Sequence, residues 1–246
     1  MSLLVAERLE KSFGETRAVA GVSFSLDAGE MLALIGPNGA GKSTCFNMLN
    51  GQLHPDSGRV LLAGRDISRL SPRHMSRLGV GRSFQLAATF TSMTVRENVQ
   101  MALIAQSGEV WRFVRPARAL HVAEADALLA LVGMADQAER AASVLAYGDL
   151  KRLELAMALA GTPRLLLMDE PTAGMAPVDR TALMALVRRI ARARGVAVLF
   201  TEHDMDAVFS TADRILVLDQ GHLIAEGDAA AIRADPRVRA VYLGEA

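Results

Sequence analysis

Met31-Leu-Ala-Leu-Ile-Gly36-Pro37-Asn38-Gly39-Ala40-Gly41-Lys42-Ser43-Thr44 is the stretch that decides the fold. Its apolar run from Met31 to Ile35 meets a glycine without a polar break, as a strand buried on both faces reads. A glycine-rich loop follows, and beyond Lys42 the pattern is helical. Glycines let the backbone curl until successive N–H groups converge, and the first turn of the next helix brings its positive end to the same place. The spacing Gly-x-x-x-x-Gly-Lys-Ser between strand and helix is that of a phosphate cradle. In such a loop Lys42 reaches the β- and γ-phosphates, and the Ser43 hydroxyl ligates magnesium.

Outward from this loop, short apolar runs at 165–168, 196–200 and 215–218 read as further buried strands. Residues 179–194 between two of them carry helix formers, with Gly195 as a stop. Alternating strands and helices predict an α/β core. Residues 19–26 alternate like a half-buried antiparallel strand, and 60–63 read as another, which predicts a small β lobe beside the core. From 94 to 155 the reading turns helical. Thr94-Val-Arg-Glu97 is a capping box, and 119–132 is a second helix ended by Gly133. Between them, Glu109-Val-Trp-Arg-Phe-Val-Arg-Pro116 mixes aromatic and basic residues, which suits a membrane contact and a solvated connector equally. Expected boundaries are a core with its β lobe at about 1–93 and 162–246, and an inserted helical subdomain at about 94–161.

Composition narrows the class. A chain of 246 residues holds one large domain, or a core with a smaller lobe. No apolar run approaches the roughly 18 residues of a membrane-spanning helix, and the N-terminus does not read as a signal peptide. One cysteine, Cys45, excludes an intrachain disulfide and fits a reducing, cytoplasmic setting. Lys+Arg and Asp+Glu both number 27, so no net field points to nucleic acid. Twelve methionines read as adaptable core filler.

A second acidic site belongs with the loop. Arg164-Leu-Leu-Leu-Met-Asp169-Glu170 is a buried strand ending in two carboxylates. Asp169 is placed to hold Mg²⁺ through its hydration shell, and Glu170, turned the other way, to polarise an attacking water.

These motifs, in this order, resemble the ATP-binding cassette family over nearly the whole chain: the phosphate loop, Gln85 in Gly81-Arg-Ser-Phe-Gln85, Leu145-Ala146-Tyr147-Gly148-Asp149, Asp169-Glu170-Pro-Thr172, and Thr201-Glu-His203-Asp204. The resemblance implies a P-loop NTPase fold with a small antiparallel β lobe and an inserted helical subdomain, all in one cassette spanning 1–246. It implies ATP and Mg²⁺ bound by Gly36, Pro37, Asn38, Gly39, Ala40, Gly41, Lys42, Ser43 and Thr44, with Ser43, Gln85 and Asp169 toward the metal. Phe13 would stack on adenine. Glu170, His203 and Lys42 would be catalytic, His203 by hydrogen-bonding the γ-phosphate. Tyr147 and Gly148 belong to the signature segment, expected at the start of a helix over 150–160, which closes over the nucleotide of a second subunit. Departures from the family pattern are Ala146 for the usual serine, Tyr147 for a common glycine, Asp149 for glutamine, and Ala176 where Asp or Asn is frequent. Losing a hydrogen bond to a charged group, as at Ala146, costs roughly 1.5–3 kcal/mol.

Within the family, the phosphate loop followed by Cys45-Phe-Asn-Met-Leu-Asn-Gly51, the segment Lys151-Arg-Leu-Glu-Leu-Ala156 and the tail Val238-Arg-Ala-Val-Tyr-Leu-Gly-Glu245 are most similar to ATPases of branched-chain amino-acid importers. That resemblance implies a non-identical second ATPase, two permease subunits, and indirectly a solute-binding protein. It also implies a peripheral place on the inner face of the plasma membrane. Importers of urea, amides or carboxylates use similar ATPases; a lipid exporter and a repair or translation cassette are the more distant alternatives.

Overall fold

The computed structural model describes residues 2–83, 89–107 and 116–243. Two sheets organise them. Strands β1 (Leu4–Phe13), β2 (Thr16–Leu26), β4 (Ser57–Leu62) and β5 (Arg65–Asp66) form an antiparallel sheet in the order β2-β1-β4-β5. The second sheet comprises β3 (Met31–Ile35), β6 (Val80–Ser83), β7 (Leu165–Asp169), β8 (Ala197–Thr201), β9 (Arg214–Asp219) and β10 (His222–Gly227). Its order is β10-β9-β3-β8-β7-β6, parallel except for the antiparallel edge strand β10.

The central strands read as unbroken apolar runs because both of their faces are covered. Along β3, Met31, Ala33 and Ile35 join a core shared with the helices, while Leu32 and Leu34 join a second core against the β lobe. Phe200 belongs to the first core and Phe46 to the second, and both are fully buried.

Strand β1 has no counterpart in the sequence reading. Its alternation breaks where the register shifts between Ala6 and Leu9, with Arg8 at a φ of +44°. The bulge moves Leu9 back to the buried face and spoils the period of two that reveals a half-buried strand.

Helices α1 (Lys42–Leu49) and α2 (Pro72–Arg77) precede the helical stretch made of α3 (Val95–Ser107), α4 (Val122–Leu131) and α5 (Tyr147–Leu159). The capping box forms as expected: the Thr94 N–H donates to Glu97 Oε2 at 2.9 Å, and the Glu97 N–H to Thr94 Oγ1 at 3.1 Å. The second helix starts later than its pattern indicates. Leu120 is extended and His121 has a φ of +54°, so a 3-10 turn at Ala117–Ala119 stands apart from α4. In contrast, α5 starts three residues before the predicted 150. Ala146 is its extended N-cap, and Tyr147, Gly148 and Asp149 form the first turn, where the carboxylate complements the helix dipole. Helix α6 (Pro177–Arg194) opens with proline in the first turn and ends at Gly195, whose φ is +65°. Helices α7 (Met205–Thr211), α8 (Ala229–Ala234) and α9 (Pro236–Leu243) complete the described chain. Residues 109–115 of the aromatic-basic connector lie outside the described residues.

Candidate active site

Because β7, β8 and β3 are neighbours running in parallel, their carboxyl ends open on one edge of the sheet. That edge is where open α/β sheets place their ligands. The loop from Gly36, the pair Asp169-Glu170 and the segment Glu202-His203 emerge there side by side.

The loop fits its surroundings only as glycine allows. A Cβ at Gly36 would lie 2.2 Å from the Leu218 carbonyl oxygen, and one at Gly41, where φ is +100°, 2.2 Å from that of Ala18. The loop is thereby wedged between β9 and the β lobe. Gly221 adds two clasps: its N–H donates to Ala40 O at 3.0 Å, and its carbonyl accepts from Ala20 N–H at 2.8 Å. Asn38 and Gly39 are exposed, Pro37 and Thr44 are partly so, and Ser43 is exposed at the start of α1. Lys42 curls back over this cradle, donating from Nζ to Gly36 O at 2.7 Å and to Pro37 O at 3.0 Å. Burial pulls its pKa below the ordinary lysine value, while the Glu170 and Asp169 carboxylates pull the other way. Beneath the loop, the Cys45 thiol is fully buried, which pushes its pKa up to about 12.

Thr201 organises the carboxylates. Its Oγ1 donates to Asp169 Oδ1 at 2.6 Å and accepts from the Glu170 N–H at 3.0 Å; the same N–H also reaches Thr201 O at 3.1 Å. Glu170 has a φ of +48°, in the left-handed region that costs a non-glycine residue about 1–3 kcal/mol. Its Oε1 lies 2.9 Å from His203 Nε2; an ionised carboxylate only accepts, so Nε2 carries the proton in that contact. The next turn is fastened by buried Glu202, whose Oε1 accepts from Thr172 N–H at 2.8 Å and Thr172 Oγ1 at 2.7 Å. Arg180 donates to Met175 O at 3.0 Å and pairs with Asp204, the N-cap of α7.

Phe13 ends β1 at 50% exposure, and Lys11 Nζ lies over its ring, 5.9 Å from the centroid. In the signature segment, Asp149 Oδ2 accepts from Gln137 Nε2 at 3.1 Å, which turns the carboxylate toward its own helical stretch. Gly148 lies in the first turn of α5. Tyr147 Oη donates to the Ala173 carbonyl at 3.0 Å, an engagement within its own chain. Gln85 lies outside the described residues. Among the described residues no group of three or more His, Cys, Asp or Glu side chains gathers to hold a metal unaided.

Sequence reading brought out the loop, both carboxylates and His203. It missed the positioning duties of Thr201, Glu202 and Arg180, although the first two stood inside a quoted motif.

A wedged glycine loop with a buried lysine, set beside an Asp-Glu pair and a histidine, defines a nucleotide-hydrolysing α/β protein. The family model described as ABC transporter matches residues 19–173, and one described as branched-chain amino acid ATP-binding cassette transporter matches 222–246. The chain belongs to the ABC transporter family and is one of its ATP-binding subunits. It is 38% identical over 254 residues to the high-affinity branched-chain amino acid transport ATP-binding protein LivG of Salmonella typhimurium, covering 99% of this chain and 98% of the relative. It is also 38% identical over 256 residues to BraF of Pseudomonas aeruginosa, of the same description, again covering 99% and 98%. A solved structure of the ADP conformation of MJ1267, an ATP-binding cassette of an ABC transporter, superposes with a TM-score of 0.90 at 33% identity, covering all of both chains.

Proposed function

We propose that the chain is the ATP-hydrolysing subunit of a membrane importer whose solute is a branched-chain or related amino acid. The observation that carries the hydrolytic part is Glu170, held 2.9 Å from His203 beside the Lys42 loop. The relatives' descriptions and the matched tail at 222–246 support the solute class.

In this reading the N–H groups of the loop and of the first turn of α1 bind the phosphates, and Lys42 exchanges its two loop carbonyls for the β- and γ-phosphate oxygens. The exposed Ser43 hydroxyl and Asp169, with Gln85, would hold Mg²⁺, which when bound neutralises charge on the phosphates. Glu170 orients a water and draws on its proton as the water oxygen attacks the γ-phosphorus. The bond from that phosphorus to the β–γ bridging oxygen breaks, and ADP and phosphate result. His203 gives up its contact with Glu170 and turns the Nε2–H to the γ-phosphate. Phe13 stacks on adenine. The signature turn at Tyr147-Gly148 sits at the N-terminal end of a 13-residue helix, which suits it to face the nucleotide of a second ATPase subunit.

We assign residues 94–161 to a helical subdomain within the single cassette. A cavity of about 300 Å³ between α2, β6, α3 and α5, lined by Met75, Val80, Ala102, Glu154 and Met157, offers the membrane subunits a foothold. No described helix is long and apolar enough to cross a membrane. In this reading the chain attaches at the inner face through those subunits.

Two experiments test the reading. ATP binding by the purified chain should vanish in Lys42→Ala, and unchanged affinity there refutes the site. Solute binding by a binding protein encoded beside this chain should select leucine, isoleucine or valine; selection of a sugar or a metal refutes the solute class.

A further inference from the structure

The first turn of α5 and the segment after Glu170 belong to different halves of the proposed two-subunit site. One would face the partner's nucleotide and the other the chain's own. The structure joins them directly. Tyr147 Oη donates to Ala173 O at 3.0 Å, and its ring atoms come within 3.6 Å of where a Cβ would stand at Gly174.

Both ends of this contact are anchored. On the helix, Lys151 sits one turn after Tyr147 with Nζ 5.5 Å from the ring centroid. Lys151 is itself buried and paired with buried Glu154 at 3.1 Å, so the cation above the ring is fixed. On the loop, the Ala173 N–H donates to Glu170 O at 3.1 Å, and the Met175 N–H to Thr172 O at 3.1 Å, which makes 170–175 a run of closed turns. On its far side Met175 O accepts from Arg180, whose guanidinium also pairs with Asp204, the residue after His203. The loop 173–175 therefore has the signature helix on one side and the His203-Asp204 segment on the other.

We infer that Tyr147 is a positioning residue: its hydroxyl ties the signature helix to the hydrolytic turn of its own subunit, and it is not a ligand of the nucleotide. The inference rests on the proposed two-subunit ATPase and adds a link between its two sites. When the first turn of α5 is drawn onto the partner's nucleotide, the displacement reaches the Ala173 carbonyl, and through the closed turn it reaches Glu170.

Tyr147→Phe tests this, because it keeps the ring and its contacts with Gly174 and Lys151 and deletes only the hydroxyl. Hydrogen exchange on the full-length chain should be about five- to tenfold faster at the Ala173 and Met175 amides, as loss of one hydrogen bond permits. The Leu155 amide in mid-helix should be unchanged, and ADP affinity should stay within about twofold. In the assembled transporter kcat should fall about five- to tenfold at unchanged KM. Wild-type exchange at Ala173 and Met175 in the variant overturns the inference. So does a raised KM at unchanged kcat, which would make Tyr147 a nucleotide contact. Failure of the wild-type chain to bind ATP would refute the proposed function and leave the exchange result standing.

Discussion

Thr201→Val replaces one hydroxyl by a methyl at a site that is 1% exposed, and the hydroxyl it removes lies between the two carboxylate residues. The Glu170 N–H keeps a partner, because Thr201 O also accepts from it at 3.1 Å. Asp169 loses its 2.6 Å donor, a charge-assisted hydrogen bond worth roughly 1.5–3 kcal/mol. The added methyl returns about 0.8 kcal/mol of apolar burial. The expected net loss is about 1–2 kcal/mol, read as a lower urea midpoint at unchanged slope. For a chain of this size that is about 2–8 °C in Tm. Turnover should fall further than stability, since the N–H of left-handed Glu170 keeps one acceptor instead of two. If Thr201→Val unfolds within about 0.5 kcal/mol of wild type and also hydrolyses ATP at the wild-type rate, the organising role of Thr201 is wrong.

Glu170→Gln should retain ATP while turnover falls by about 10²-fold or more, measured by phosphate release against equilibrium binding; normal hydrolysis would move the water-activating role elsewhere. Gly41→Ala forces a Cβ to within 2.2 Å of the Ala18 carbonyl, so ADP affinity and Tm should both drop, and retention of both would show that the loop is not wedged as described. Glu154 carries a pKa raised above 4.5, chiefly by burial and against the opposing pull of Lys151. Its protonated form favours the folded chain, so its contribution is present at low pH and is lost as pH rises through the raised value. The stability of Glu154→Gln relative to wild type should therefore improve as pH rises from 4.5, and urea melts showing a pH-independent difference would refute this.

What could be read from sequence alone divides along physical lines. Strands β3, β7, β8 and β9 were legible because burial on both faces removes every polar interruption, and α3 because Thr94 and Glu97 name their own cap. Strand β1 was hidden by its bulge at Arg8. The start of α5 was misplaced because Tyr147-Gly148 reads locally as a turn, whereas the extended Ala146 and the first-turn Asp149 make it helical. Within the site, Lys42, Ser43, Asp169 and Glu170 announce themselves through spacing along the chain. The partners of the carboxylates do not. Thr201 lies 32 residues from Asp169 and Glu202 lies 30 from Thr172, and only the parallel pairing of β7 with β8 brings them together. Nothing in a linear pattern says that Arg180 spans Met175 and Asp204.

Cys45 lies three residues beyond Lys42, fully enclosed, with its thiol held near pKa 12. A thiol so protonated and so covered is inert toward alkylating reagents in the closed fold, and it becomes reactive only when α1 lifts away from its neighbours. As the single sulfhydryl in the chain, it serves as an intrinsic clock. The rate at which a maleimide consumes it measures how often the floor of the nucleotide site opens, and the slowing of that rate by ADP measures how firmly a bound nucleotide holds it shut.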